Sequence, residues 1–64
     1  MNIYIERTGK TITKDFSGDV AQLLKELDIL PDEVLVIKNG KLITEDEELN
    51  TGDDIRLLSV ISGG

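Results

Sequence analysis

Residues 17–30, "SGDVAQLLKELDIL", are the stretch where the apolar period of the chain switches from two to that of a helix. Val20, Leu23, Leu24 and Leu27 fall at i, i+3, i+4 and i+7, which draws one apolar stripe along a helix. Asp19 is placed to cap the N-terminus by accepting from an orphan amide of the first turn, and Gln22 to reciprocate as in a capping box. Pro31 closes the segment, because its ring cannot continue a helix and biases Leu30 out of the helical region.

Strand patterns flank this helix on both sides. Upstream, "NIYIER" at 2–7 alternates, with Ile3 and Ile5 on one face and Asn2, Tyr4 and Glu6 on the other. "TGK" at 8–10 reads as a turn. "TITKDF" at 11–16 returns with Ile12 and Phe16 on one parity and Lys14 breaking the alternation, so the first sixteen residues predict a hairpin. Downstream, "VLVIK" at 34–38 is apolar on both parities, which predicts a well-covered strand with some exposed apolar surface. "NG" at 39–40 supplies the two positive-φ positions of a type I′ turn, and "KLI" at 41–43 is the returning strand. "TEDEELNTGDD" at 44–54 predicts a loop in which Thr44 caps one helical turn, Glu47 reaches back to it, and Leu49 pins the loop to the core. "IRLLSVI" at 55–61 is the last strand, with Ile55, Leu57 and Ile61 on one parity and Leu58 and Val60 on the other. The order β-β-α-β-β-β describes an α+β domain, a sheet with one helix packed on one face.

Size and composition narrow the function classes. A chain of 64 residues buries only about 60% of its unfolded surface and has room for one core, so residues 1–64 form a single domain. Thirteen acids against seven bases give a formal net charge of −6, which repels nucleic-acid backbones and anionic membranes and favours a basic protein partner. The lysines at 10, 14, 25, 38 and 41 are scattered and lack aromatic neighbours, which also speaks against nucleic acid. There is no run of the roughly 20 apolar residues a membrane span needs, and no leader pattern, so a cytoplasmic protein is expected. With no Cys and no His, disulfides, thiolate nucleophiles, imidazole chemistry and ordinary zinc or copper sites are all excluded. Any chemistry must use carboxylates, lysines, hydroxyls or the chain ends.

"DVAQLLKELDI", "VIKNGKLI" and "GDDIRLLSVISGG" together resemble the ubiquitin-like sulfur carriers, above all the thiamine-pathway ThiS branch and more distantly the molybdopterin MoaD branch. The "GD" turn, the strand after it and the diglycine at its set distance are the most specific part. Ser62 stands where these carriers often have Ala or Gly, a small-for-small change, and the proline-containing tail common among molybdopterin carriers is absent. The resemblance implies the β-grasp fold, a five-stranded mixed sheet whose last strand lies between the first and third and runs parallel to the first.

It also implies a function. Carriers of this kind are co-substrates rather than enzymes. A ubiquitin-activating-type adenylating enzyme spends ATP on the terminal carboxylate, a sulfur donor such as a cysteine desulfurase converts it to a thiocarboxylate, and a biosynthetic synthase receives the sulfur. On this chain the reactive position is Gly64, with Gly63 before it in a flexible diglycine tail. Two residues without Cβ take dihedrals other residues avoid and thread a channel that side chains would obstruct. No bound cofactor is expected. A protein modifier joined through Gly64 to lysines uses the same adenylate, and an inert interaction module is the third possibility; thiamine thiazole, molybdopterin and thiolated tRNA remain open as sulfur acceptors.

Leu58 and Val60, with Ile37 beside them, are the expected partner-docking patch on the open face of the sheet. The acids of "EDEE" at 45–48 do not converge on a point and lack EF-hand spacing, so they read as a solvated face that steers a basic partner, and no metal site is expected. Asp53 and Asp54 are expected to form the turn into the last strand, with Gly52 supplying a permissive dihedral.

Overall fold

The structure, a computed structural model, describes residues 1–60. Strands β1 (Asn2–Ile5) and β2 (Lys10–Thr13) form the predicted hairpin, with Ile3 opposite Ile12. Gly9 takes a φ of 70° in the turn, and its amide donates to the Ile5 carbonyl. The strand is shorter than the alternating run of sequence: β2 stops at Thr13, and Phe16 reaches the core from the following loop.

Strand β3 (Gly18–Asp19) leads directly into helix α1 (Val20–Glu26). The capping box forms as the sequence predicts. Asp19 Oδ1 accepts from the Gln22 amide at 2.8 Å, and Gln22 Oε1 accepts from the Asp19 amide at 3.3 Å. The end of the helix departs from expectation, for it stops at Glu26, ahead of Pro31. Asp28 turns left-handed at φ 59°; its amide donates to the Lys25 carbonyl and that of Ile29 to the Leu24 carbonyl. These are the two bonds of a Schellman motif, so main-chain geometry ends the helix and not the proline ring. Pro31 instead opens a 3₁₀ turn, Pro31–Glu33, that delivers the chain to the next strand.

Strands β4 (Val34–Lys38) and β5 (Lys41–Ile43) form the second hairpin, with Asn39 at φ 51° and Gly40 at φ 83° as a type I′ turn requires. The following loop corrects the sequence reading. Thr44 caps no helical turn: its carbonyl accepts from the Glu47 amide at 3.2 Å, its hydroxyl donates to Asp46, and Glu47 pairs with Lys38 at 3.5 Å instead of reaching back. Strand β6 (Glu48–Leu49) then pairs antiparallel with β3, a two-residue ladder too short to show a period. Through it the acidic loop closes the helix start. The Val20 amide donates to the Glu47 carbonyl and the Ala21 amide to the Glu45 carbonyl, so the first three amides of α1 are all satisfied.

Strand β7 (Asp54–Ser59) inserts between β1 and β4, giving the sheet order β2-β1-β7-β4-β5. It runs parallel to β1, with Ile3 opposite Ile55, and antiparallel to β4, with Val36 opposite Leu57. This is the β-grasp arrangement. Gly52 is not in the left-handed region; the turn into β7 is held by Asp53, whose carboxylate accepts from the Asn50 amide and the Asn39 side chain. Ile3, Val20, Leu23, Leu24, Leu49, Ile55 and Leu57 are almost completely removed from solvent. At roughly 1.5–3 kcal/mol for each large side chain, this layer between α1 and the sheet is the main stabilising contribution. Ile61, Gly63 and Gly64 lie outside the described residues.

Candidate functional site

Alternation along β7 sends Ile55 and Leu57 toward α1, which leaves Arg56 and Leu58 on the helix-free face. Register then decides their neighbours. Leu58 lies opposite Leu35 on β4, and Arg56 lies between Ile37 on β4 and Tyr4 on β1. The two-residue turn of the second hairpin places Leu42 opposite Ile37. Leu35, Leu42 and Val60 are 47%, 62% and 39% exposed, and Ile37 and Leu58 are half-buried. The structure thus brings Leu58 and Ile37 onto one face, with Val60 just past the strand end.

Leu35 and Leu42 belong to the same face but were not singled out from the sequence. The signal was there: with Val34 and Val36 turned inward, the other parity of "VLVIK" must face out, and a two-residue turn after Lys38 fixes Leu42 beside Ile37. What the residue pattern left open was the strand order, which sets Leu35 opposite Leu58.

The end of β7 is held from both sides. On the β1 flank the Ser59 amide donates to Glu6 Oε1 at 2.9 Å; on the β4 flank the Val60 amide donates to the Glu33 carbonyl at 2.9 Å. Arg7 Nη1 lies 3.8 Å from Glu33 Oε1. Gly63 and Gly64, where the chemistry is expected, follow this exit but lie outside the described residues.

The acids of the 45–54 loop are spread rather than gathered. Lys38 Nζ lies 3.5 Å from Glu47 and donates to the Glu48 carbonyl at 3.1 Å. The amide of Asn50 and the side chain of Asn39 donate to Asp53 and hold its carboxyl below the usual aspartate range. The Thr44 hydroxyl does the same for Asp46. Among the described residues no three acids are arranged to hold a metal ion, and no polar or charged residue is buried. None of them has the desolvated setting that tunes a catalytic acid or base. Nor is any helix among them long and apolar enough to cross a membrane.

With that geometry in place, comparison with known proteins identifies the family. The ThiS family model matches residues 2–64. The chain belongs to the ThiS family. A curated relative, "Small archaeal modifier protein 2" of Haloferax volcanii, is 31% identical over 67 residues, and the alignment covers all of both chains. The solution structure of a thiamine biosynthesis protein from Geobacter metallireducens superposes with a TM-score of 0.60 at 26% identity, covering all of this chain and 88% of that one. This ThiS-family chain is a small ubiquitin-like protein, and its relatives carry two kinds of name, one biosynthetic and one of protein modification.

Proposed function

We propose that this ThiS-family protein is a sulfur carrier whose Gly64 carboxylate is activated and loaded with sulfur. The observation that carries the reading is the family match, which runs through the diglycine at 63–64 on a β-grasp domain. In the activation step a carboxylate oxygen of Gly64 attacks the α-phosphate of ATP on a partner adenylating enzyme, and pyrophosphate leaves. The terminal sulfur of a donor persulfide, such as that on a cysteine desulfurase, then attacks the acyl carbon and AMP leaves; a second thiol attacks the donor cysteine's sulfur in the resulting acyl disulfide, a disulfide forms between the two thiols, and a thiocarboxylate remains. The carrier supplies a side-chain-free reacting end and a docking surface; Leu58, Val60 and Ile37, extended by Leu35 and Leu42, are that surface. The thiamine-biosynthesis name of the Geobacter neighbour favours a thiazole synthase as the sulfur acceptor. Use of ATP and a sulfur donor suits the cytoplasm.

A second reading has a specific observation behind it, the modifier name of the Haloferax relative. In that role the same Gly64 adenylate ends as an isopeptide bond to a lysine. Intact-mass spectrometry separates the two after incubation with lysate from the source organism, ATP and sulfide. Exchange of one oxygen for one sulfur, lost on deleting Gly64, is the outcome expected of a carrier. Lysine branches ending in the Ser62-Gly63-Gly64 remnant mark the modifier. Neither product leaves an interaction module without C-terminal chemistry.

A further inference from the structure

We propose that Glu6 is a positioning residue for the C-terminal chemistry, holding the end of β7 so that the chain leaves the sheet at Ser59 and Val60 from a fixed place on the domain. The role rests on the carrier reading above. The parallel ladder between β1 and β7 reaches the Glu6 amide, which donates to the Leu57 carbonyl at 3.0 Å. One step on, the ladder calls for a β1 carbonyl to accept from Ser59. The chain has already turned away, and the Glu6 carbonyl accepts from Gly9 at 3.2 Å inside that turn. The Glu6 carboxylate stands in for it, taking the Ser59 amide at 2.9 Å.

This bond lies beyond the last buried residue of β7, since Leu57 is fully buried and Ser59 only partly so. What it does is extend the two-sided restraint of β7 past the point where β1 ends, matching the Glu33 carbonyl on the other flank. Arg7 and Glu33 form a loose, solvent-exposed ion pair near the exit. A carboxylate that must enter a partner's active site reacts faster when the place where its chain leaves the docked domain is fixed, because less freedom is lost on reaching the reactive geometry.

The test uses Glu6→Ala and Glu6→Gln in the full chain, with two readouts. The first is amide hydrogen exchange at Ser59 in the free protein; the second is steady-state adenylation by the activating enzyme of the source organism. Glu6→Ala is expected to lose Ser59 protection and to lower kcat about tenfold, with KM for the carrier unchanged. Glu6→Gln, whose amide oxygen accepts the same bond, is expected to restore both. A docking-face change such as Leu58→Asp moves KM instead, which separates positioning from docking. If Glu6→Ala is adenylated with wild-type kcat, or if Ser59 exchange does not change, the positioning role is overturned. If wild-type protein is not adenylated at all, the carrier reading fails and the positioning role falls with it.

Discussion

Asp28 occupies a conformation that costs an L-residue about 1–2 kcal/mol, a left-handed backbone at φ 59°. It does so because the Schellman motif that ends α1 needs a positive φ at this place, and glycine is the residue that fills it without strain. Asp28→Gly is therefore expected to stabilise the protein by about 0.5–1 kcal/mol, the relief exceeding the extra unfolded-state entropy of glycine. Urea denaturation of the two proteins checks this, and a destabilised glycine variant would assign Asp28 a contact not evident in its cap. A second residue ties stability to pH. Asp53 holds the loop before β7 by accepting from Asn50 and Asn39, which lowers its folded pKa. The sign follows from linkage: the stabilisation is fully present above the ordinary aspartate pKa and is lost as pH falls through the depressed folded value. Asp53→Asn is expected to be mildly destabilising near neutral pH, by a few tenths of a kcal/mol at so solvent-exposed a carboxylate, with the difference from wild type shrinking in strong acid. Denaturant titrations at the two pH values measure it; a pH-independent difference would place the effect in shape rather than charge.

At the scale of elements, β4, β5 and β7 together build the open apolar face, and none of them builds it alone. Leu35 and Leu58 lie opposite one another in the register and point away from α1, so Leu35→Asp and Leu58→Asp are each expected to leave the fold intact, with the larger loss of thermal stability at half-buried Leu58. Each is also expected to weaken adenylating-enzyme affinity about tenfold or more, since a charge is set into a desolvated contact. Titration calorimetry with the activating enzyme reads this, and wild-type affinity in both variants would remove the face from docking. The elements also show where sequence reading succeeds. Both hairpins, the helix start with its capping box and the alternation of β7 rest on local patterns, and all were legible. The β3–β6 ladder was not, because two residues have no period, and the helix end was not, because αL geometry at an aspartate leaves little trace in residue type. The Glu6 bond to Ser59 spans 53 residues and exists only because β7 lies beside β1. Strand order came from family resemblance, and position 35 became a site candidate once the register set it opposite Leu58.

Across the whole molecule, thirteen acids and a net charge of −6 surround a small apolar face. Such a field draws in a basic partner before contact, so the association rate with the adenylating enzyme is expected to fall severalfold or more as ionic strength rises from about 0.05 to 0.5 M. Stopped-flow association measures this, and a flat salt profile would confine recognition to the apolar contact. The sheet topology carries a different consequence, for the order of events as the protein is made. Among the described residues the central strand is the last one: β7 fills the gap between β1 and β4 and contributes Ile55 and Leu57 to the core. Synthesis proceeds from the N-terminus, and until β7 emerges the first hairpin and the β4–β5 hairpin have no strand joining them. The nascent chain therefore has no stable half-folded form to lodge in, and folding waits for a contact between distant ends of the sequence. A chain broken off before β7 lacks Ile55, Leu57 and the strand that joins its two hairpins, so protein that has folded is protein in which synthesis has reached the strand leading to Gly64.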